Sequence, residues 1–254
     1  MKIQASFIET QVEQELTNLK ACWEKVLQIP THTPLQHLVQ SIRHLPGKHL
    51  RARLVFLVAG AHGMVTDQTR RGATLVTLIH QASLLHDDVI DEAKQRRGNP
   101  SVNATWGNRK AILLGDYLLT HCINLAISHQ DYNLLLPLVQ TTQAMTEGEL
   151  LQLSQINPLS VTEDICLEII HKKTASLMGT CSMIGALSSS QPTEQQVSAM
   201  RHVGENLGMA FQIQDDLLDY GVQENLDKEI GMDIKSGKIT LPLFYALQQA
   251  KDST

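Results

Sequence analysis

Three aspartates stand close together in the stretch HQASLLHDDVIDEAKQRRG, residues 80–98. In a helix, Asp87 and Asp91 lie one turn apart on the same face, and Asp88 lies about 100° round the helix from Asp87. Carboxylates this close repel each other unless a cation lies between them. Arg96 and Arg97 follow, and guanidinium groups bind phosphate oxygens. The combination suits a ligand that carries both Mg²⁺ and phosphate.

A second acidic cluster repeats this spacing far down the chain. The stretch FQIQDDLLD, residues 211–219, contains Asp215, Asp216 and Asp219. One acidic cluster beside arginines is usually a solvated helix end. Both clusters, however, follow segments that are mostly apolar or uncharged, ATLVTLIHQASLL and LGMAFQIQ. We therefore expect two acidic helix ends that converge on shared Mg²⁺ ions.

Lys48 and Arg51, in the stretch GKHLR, begin a predicted helix behind a glycine. Helix N-termini and cationic side chains both favour phosphate, although a Lys and an Arg three residues apart are usually surface charges. His80 lies two turns before Asp87 on the same stripe. A histidine there is more often a core residue, and it becomes informative only if a phosphate comes near.

Three lysines further on are also candidates for binding anions. Lys173 lies in the stretch KKTASL within an apolar helix, where its charge is costly unless it meets an anion. Lys228 and Lys238 lie in a glycine-containing segment after the second cluster. From there they could reach the outer oxygens of a metal-bound diphosphate.

The composition favours an all-α fold. Of 254 residues, 43% are hydrophobic but only 4% are aromatic, which suits helices packed on helices better than a β-fold. No segment shows the alternation of a strand, and no composition shift marks a boundary, so we expect one domain over residues 1–254. Apolar periodicity predicts helices over 8–28, 50–65, 72–92, 109–129, 132–153, 162–188, 194–221 and from 241.

Charge and targeting signals are unremarkable. A net charge of −5 gives no indication of nucleic-acid binding. The N-terminal residues lack the apolar segment of a signal peptide, and the longest apolar run, near 54–65, is too short for a transmembrane helix. We expect a cytoplasmic protein with reduced cysteines, because no C-x-x-C pair occurs among Cys22, Cys122, Cys166 and Cys181.

Together the motifs resemble the trans-isoprenyl diphosphate synthases, also called polyprenyl synthetases. The resemblance implies a single-domain bundle of antiparallel helices around a deep central cavity, of the isoprenoid synthase type. It also implies head-to-tail, trans condensation of an allylic diphosphate with isopentenyl diphosphate into a medium- or long-chain polyprenyl diphosphate. It rests on six elements in the family's order, within residues 47–242: GKHLR, HQASLLHDDVIDEAKQRRG, GELLQ, KKTASL, FQIQDDLLD and DIKSGKITLP.

The resemblance implies roles for individual residues. Its catalytic centre would comprise Asp87, Asp88, Asp91, Lys173, Asp215, Asp216 and Lys238. Mg²⁺ would be held by Asp87, Asp91, Asp215 and Asp219. The allylic diphosphate would be contacted by Lys173, Lys238 and Arg96. The isopentenyl diphosphate pocket would comprise Lys48, Arg51, His80 and Arg97, and the positions near the substrates would be Thr174, Gln212 and Lys228.

The chain departs from the family pattern at identifiable positions. Pro46 stands where the family usually has a second glycine, His49 where a basic residue is common, and Asp227 where glycine is usual. The family continues with several helices after the TLP stretch. We therefore expect this chain to lack the last C-terminal helices of the family.

The residues before the first cluster bear on product length. Ser83, Ile79 and Val76 lie on the stripe that leads away from Asp87, and each helical turn of about 5.4 Å is close to the length of an isoprene unit. A bulky aromatic there would stop chain growth early, but the chain has Ala82 and Ser83. We expect a product longer than four isoprene units, unless a residue on another helix closes the tunnel.

Other functions must be weighed against this one. A terpene cyclase shares the acidic helix and Mg²⁺, but gives no reason for cations that bind a second diphosphate. A metal-dependent phosphohydrolase could use His86 and Asp87, but further histidines at ligand spacing are not evident. A non-catalytic or regulatory subunit of a heteromeric synthase is the alternative from a different class. From the family we also expect a homodimer, whose long product could need a membrane or detergent for its release.

Overall fold

The computed structural model describes residues 2–28, 33–43, 47–155, 161–190, 192–221 and 231–251. These residues are predominantly helical, which confirms the all-α class. The elements are α1 (Lys2–Val26), α2 (Pro34–Ser41), α3 (Leu50–Ala61), α4 (Asp67–Ile90), β1 (Gln95–Arg96), β2 (Asn99–Pro100), α5 (Val102–Trp106), α6 (Asn108–Ser128), α7 (Tyr132–Ser154), α8 (Glu163–Ile170), a π-helical turn (His171–Ala175), α9 (Ser176–Leu187), α10 (Glu194–Asp219), α11 (Met232–Lys235) and α12 (Leu241–Lys251).

Helix α4, which carries the first acidic cluster, begins at Asp67, five residues before the predicted start at 72. Its N-cap, Thr66, accepts a hydrogen bond from the Thr69 backbone N at 3.1 Å, and the Thr69 hydroxyl accepts one from the Thr66 backbone N at 3.0 Å. This reciprocal pair satisfies two amides that would otherwise lack partners at a helix end. Because the usual capping box has Glu or Gln at the third position, a Thr–Thr pair is not a recognisable helix start in the sequence.

The segment 93–108, between the predicted helices 72–92 and 109–129, has structure of its own. Strands β1 and β2 pair antiparallel, with Gln95 opposite Pro100. The two residues between them, Arg97 and Gly98, have φ values of +52° and +77°, as a type I′ hairpin turn requires. Strands of two residues leave no alternation to find in the sequence. Ser101 then caps α5 by accepting a hydrogen bond from the Ala104 backbone N at 3.3 Å.

The predicted helix 162–188 is divided into α8, the π-helical turn and α9. The turn lies where α7 and α10 come close to it. A Cβ added to Gly148 would lie 2.7 Å from the Lys172 Cβ, and one added to Gly208 would lie 2.6 Å from the Ala175 Cα. Glycines on both neighbours therefore allow backbones to approach the turn more closely than any other residue would.

The chain divides into two compact units, one of Met1–Leu136 and Cys181–Val197, the other of Pro137–Thr180 and Ser198–Thr254. In the first, α4 packs against α1, α3 and α6. Its fully buried side chains include Val55, Phe56, Leu75, Leu78, Leu114 and Leu118. In the second, α12 packs against α8, and Leu138, Leu177 and Met178 are buried. The expectation of one domain over residues 1–254 stays a prediction.

One helix of the described segments, α6, is long and apolar enough to cross a membrane. Helices in the core of a folded domain can have the same length and composition, and α6 packs against α4. Its composition alone therefore does not assign it to a membrane.

Candidate functional site

The first acidic cluster lies at the C-terminal end of α4. The backbone N of Asp91 donates to the Asp87 carbonyl at 2.8 Å, so the two aspartates occupy consecutive turns as predicted. Asp87 is half-buried and Asp91 is exposed. Asp88 is buried, and its Oδ1 accepts hydrogen bonds from Nε of Arg96, at 2.9 Å, and from Nη2. Asp88 therefore holds Arg96 in place, and Asp87 and Asp91 remain the metal ligands predicted from the sequence.

The carboxylates of this cluster suit Mg²⁺ chemically. Within the described residues, no three His, Cys, Asp or Glu side chains converge as a metal site. Mg²⁺ commonly takes only one or two protein carboxylates and completes its shell with water and substrate phosphates. Two carboxylates on successive turns fit that requirement, and Asp87 and Asp91 are the residues that would hold the ion.

Arg51, in the first turn of α3, lies against His80 in the middle of α4. Its Nη1 donates to His80 Nε2 at 3.0 Å. Because a guanidinium can only donate, His80 must accept through Nε2 and carry its proton on Nδ1. Burial lowers the pKa of His80 well below its usual value, and the charges of Arg51, Arg97 and Arg96 lower it further. His80 is therefore a neutral acceptor that orients Arg51.

The Arg51 guanidinium is a cation with unused hydrogen-bonding capacity. Burial lowers its pKa from the usual value, and so does the charge of Arg97. Its Nε is buried and has no hydrogen-bond partner among the described residues. A buried donor without an acceptor is costly, so this arrangement favours an anionic ligand.

Arg97 reaches the same part of the first unit from the tip of the β1–β2 hairpin. Gly47 has φ +126°, and a Cβ added to it would lie 2.7 Å from Arg97 Nη1. The glycine therefore lets the chain pass directly beside the guanidinium. Lys48, the next residue, is exposed. The first unit thus contains the whole predicted set: Lys48, Arg51, His80 and Arg97. Within it, Gly47 lies beside Arg97, and Arg51 is hydrogen-bonded to His80.

In the second unit, Lys173 lies in the π-helical turn and meets acidic α7. Its Nζ is paired with the carboxylate of Glu149 and donates to Gln152 Oε1. Its neighbour Lys172 is paired with Glu147 at 3.2 Å and with Glu168 at 3.1 Å. The anion that meets Lys173 is therefore the carboxylate of Glu149, in the stretch GELLQ.

The second acidic cluster ends α10. Thr174 Oγ1 donates to Gln212 Oε1, and Gln212 Nε2 donates to Asp216 Oδ1, both at 2.8 Å. This chain of bonds fixes the orientation of the Gln212 amide and links the π-helical turn to buried Asp216. Asp215 is half-buried.

Asp219, also buried, is held by the segment that follows α10. Its Oδ2 accepts from the Asp233 backbone N at 3.0 Å, and its carbonyl accepts from the Gly231 backbone N at 2.8 Å. Lys238 belongs to the same segment, since its backbone N donates to the Asp233 carbonyl at 2.9 Å. Lys228 lies outside the described residues. The predicted meeting of this cluster with the first one stays a prediction.

The proposed chain-length residues lie on α4 as predicted. Val76, Ile79 and Ala82 are buried, and Ser83 is half-buried with its hydroxyl donating to the His80 carbonyl at 2.9 Å. Burial is expected both of core residues and of residues that line an apolar tunnel, so their role stays a prediction.

One polar residue near the first cluster was missed in the sequence. Asn103 is buried, and its Nδ2 donates to the backbone carbonyls of Asp88 and Ala93. A single asparagine between turn residues carries no signal of such contacts, although Ser101 two residues earlier is a recognisable N-cap.

Comparison with known proteins agrees with the motifs. The family model described as polyprenyl synthetase matches residues 32–254. The all-trans-nonaprenyl-diphosphate synthase (geranyl-diphosphate specific) of Rhodobacter capsulatus is 38% identical over 207 residues, covering 81% of this chain and 63% of that protein. This chain thus spans less than two thirds of that relative's length. Heptaprenyl diphosphate synthase component 2 of Geobacillus stearothermophilus is 34% identical over 241 residues, covering 94% of this chain and 72% of that protein.

A solved structure gives the same result for the fold. The polyprenyl synthase of Caulobacter crescentus CB15, complexed with calcium and isoprenyl diphosphate, superposes with a TM-score of 0.87 at 33% identity. The match covers 96% of this chain and 74% of that one.

Proposed function

This chain belongs to the polyprenyl synthetase family, and we propose that it is a Mg²⁺-dependent trans-prenyltransferase. The reaction joins the allylic carbon of one diphosphate ester to the terminal double-bond carbon of isopentenyl diphosphate. Diphosphate leaves, a proton is lost, and the polyprenyl diphosphate is longer by one isoprene unit.

The observation that carries this proposal is the cationic set around Arg51. In the described part of the chain, Arg51 has only neutral His80 as a side-chain hydrogen-bond partner, while its Nε is buried without one. Arg97 stands beside Gly47 in the same unit. A second diphosphate would supply the acceptor that Arg51 Nε lacks and would meet the positive charge of both arginines. A terpene cyclase, which ionises one diphosphate, gives no reason for this set.

The acidic residues would serve the other substrate. We propose that Asp87 and Asp91, and in the second unit Asp215 and Asp219, hold Mg²⁺ together with the allylic diphosphate. The bound ions would neutralise charge on the departing diphosphate. The calcium and isoprenyl diphosphate of the Caulobacter crescentus structure support a divalent metal and a diphosphate in relatives of this chain.

The chain's own cations would assist departure of the leaving group. Lys173 and Lys238 are the candidates in the second unit, and Arg96, held by Asp88, is the candidate in the first. Preorganised positive charge stabilises the negative charge that develops on the leaving diphosphate. Lys173 would exchange the Glu149 carboxylate for a phosphate oxygen. No described side chain stands out as a general base, and the released diphosphate is the proposed proton acceptor.

The allylic cation that forms needs surroundings without water. Above the first cluster, α4 is apolar and buried through Val76, Ile79 and Ala82. We propose that this stripe receives the growing hydrocarbon and that the product exceeds four isoprene units. The names of two relatives support a long product, since one is a nonaprenyl-diphosphate synthase and the other is component 2 of a heptaprenyl diphosphate synthase.

A second candidate function follows from the name of one relative. The Geobacillus stearothermophilus protein is component 2 of a heptaprenyl diphosphate synthase, so this chain could be one subunit of such an assembly. The catalytic proposal has the stronger support, because the chain keeps both acidic clusters and the Arg51 set. A homodimer and a cytoplasmic location belong to the proposal as well.

The test is incubation of the purified chain with Mg²⁺, labelled isopentenyl diphosphate and allylic diphosphates of several lengths, followed by chromatography of the products. We expect labelled polyprenyl diphosphate from the unmodified chain and none from Asp87→Asn. The matched control is Asp164→Asn, an exposed residue of α8, which should leave product formation unchanged. Product that appears only after a second subunit is added would establish the subunit function. Absence of product under every condition would overturn both.

A further inference from the structure

Helix α4 ends in a Schellman motif that contains no glycine. The backbone N of Ala93 donates to the Asp88 carbonyl at 2.9 Å, and that of Glu92 donates to the Val89 carbonyl at 3.3 Å. Glu92 takes the left-handed position with φ +49°. Glycine usually occupies this position because a Cβ there is unfavourable by roughly 1–2 kcal/mol. Asp91, a candidate metal ligand, is the C-cap residue, so its backbone depends on a motif that is weak by itself.

Asn103 supplies the stabilisation that this helix end lacks. From the start of α5, its Nδ2 donates to the Asp88 carbonyl at 3.0 Å and to the Ala93 carbonyl at 3.1 Å. The two carbonyls flank the helix end on either side of Asp91. Ser101 Oγ adds a bond to the Ala93 carbonyl at 2.6 Å. One buried amide therefore ties together both ends of the segment that contains Asp91 and Glu92.

The contacts of Asn103 also affect Arg96. Asp88, whose carbonyl is bonded to Asn103, holds Arg96 through its carboxylate. Asn103 Oδ1 is buried and has no hydrogen-bond partner in the described part of the chain. An amide that leaves its oxygen unsatisfied while its nitrogen serves two carbonyls is retained for its donor function. Neither Ala nor Asp at this position could replace both bonds.

We propose that Asn103 is a positioning residue of the first acidic cluster. Its amide holds the end of α4 in the one backbone arrangement that sets Asp91 relative to Asp87 for a divalent ion. Asn103 touches neither substrate nor metal and acts through the Asp88 and Ala93 carbonyls. The identity of the ion rests on the proposed function, whereas the backbone effect does not.

The first measurement concerns the metal-free protein. Hydrogen–deuterium exchange should be compared in the segment 87–94 for the unmodified chain, Asn103→Ala, Asn103→His and Thr105→Ala. Loss of both bonds in Asn103→Ala should accelerate exchange of the Ala93 amide at least tenfold, and Asn103→His, which keeps one N–H donor, should be intermediate. Thr105 is the matched control because its hydroxyl donates to the Ser101 carbonyl within α5 and does not reach α4.

The second measurement is binding of Mn²⁺ in the presence of inorganic pyrophosphate, followed by electron paramagnetic resonance. Asn103→Ala should weaken Mn²⁺ binding about tenfold, Asn103→His less, and Thr105→Ala not at all. Asp87→Asn is the reference for the metal site itself. If Asp87→Asn weakens binding and Asn103→Ala does not, the positioning role is overturned while the metal site stands. If Asp87→Asn has no effect, the metal site of the proposed function is wrong and the positioning role falls with it. Asn103→His keeps the comparison decisive if Asn103→Ala does not fold.

Discussion

Replacement of Arg51 by methionine should separate binding from stability. Methionine has about the same length as the arginine stem but no charge and no donor. Arg51 is half-buried, has a single side-chain partner in His80 among the described residues, and lies near the charge of Arg97. Its buried Nε has no acceptor, which is unfavourable to the fold, while the guanidinium favours an anionic ligand.

The magnitude follows from the bonds that are present. Removal of a buried donor without an acceptor recovers roughly 1–3 kcal/mol, whereas loss of the Arg51–His80 bond leaves His80 Nε2 without its donor and costs roughly 1–3 kcal/mol. We expect Arg51→Met to change the free energy of unfolding by less than about 1 kcal/mol. For a chain of this size, that is a shift in Tm of no more than roughly 2–4 °C.

Ligand binding should change much more than stability. Each charge-assisted hydrogen bond to phosphate contributes roughly 1.5–3 kcal/mol. Loss of one or two such bonds, about 3 kcal/mol in total, should weaken binding of isopentenyl diphosphate about 100-fold. In the unmodified chain the ligand should raise Tm through its preference for the folded state, and in the variant that increase should be absent at the same concentration.

The assay is thermal unfolding with and without isopentenyl diphosphate, together with the KM for each substrate. Arg53→Met is the matched control, because Arg53 lies in the same helix and is paired with exposed Glu13. It should lose no more than about 1 kcal/mol of stability and leave ligand binding unchanged. The reasoning is refuted if Arg51→Met lowers Tm more than Arg53→Met does and the ligand still stabilises the variant.

Three further outcomes are expected. Ser83→Phe should shorten the product, as seen by chromatography of the dephosphorylated chains; an unchanged length would mean that Ser83 does not line the tunnel. Asp131→Ala should lower the free energy of unfolding by about 3 kcal/mol in a denaturant titration, because buried Asp131 accepts from Arg71 Nε at 2.5 Å and its loss leaves that cation unpaired. His80→Gln should reduce the loss of unfolding free energy that occurs as the pH falls below about 6.5. In that range the histidine of the unfolded chain binds a proton, whereas the folded His80, with its lowered pKa, does not. This difference costs the unmodified chain up to about 1.4 kcal/mol per pH unit. Equal slopes for the two proteins would show that His80 is not kept neutral by the fold.

Helix positions could be predicted because apolar periodicity is a property of the sequence itself. The predicted spans 109–129 and 132–153 lie within one residue of the observed ends of α6 and α7. Periodicity does not predict those features of the fold that contacts between distant residues determine. The π-helical turn depends on the glycines of α7 and α10. The start of α4 depends on Thr66 and Thr69, whose hydroxyls also donate to the Ser188 carbonyl.

In the candidate site, too, some features could be predicted from the sequence and others could not. Residue types and spacing singled out Asp87 and Asp91, and the resemblance to the family added Arg51 and His80 as candidates. The partner of Lys173 and the role of Asn103 could not be predicted, because both depend on backbone geometry in three dimensions. An asparagine that bonds two carbonyls looks in the sequence like any other turn residue.

The π-helical turn His171–Ala175 has a consequence for protein engineering. A wide turn accommodates one residue more than regular helical winding would. Deleting one residue there would restore regular winding while α8 and α9 kept nearly their present orientations, because the turn already absorbs the extra residue. The side chains within the turn would change direction, so Lys172 and Lys173 would lose their present alignment with the carboxylates of α7. In sequence alignments, a one-residue gap in this segment should accordingly be read as loss of the π-helical turn, and not as neutral length variation.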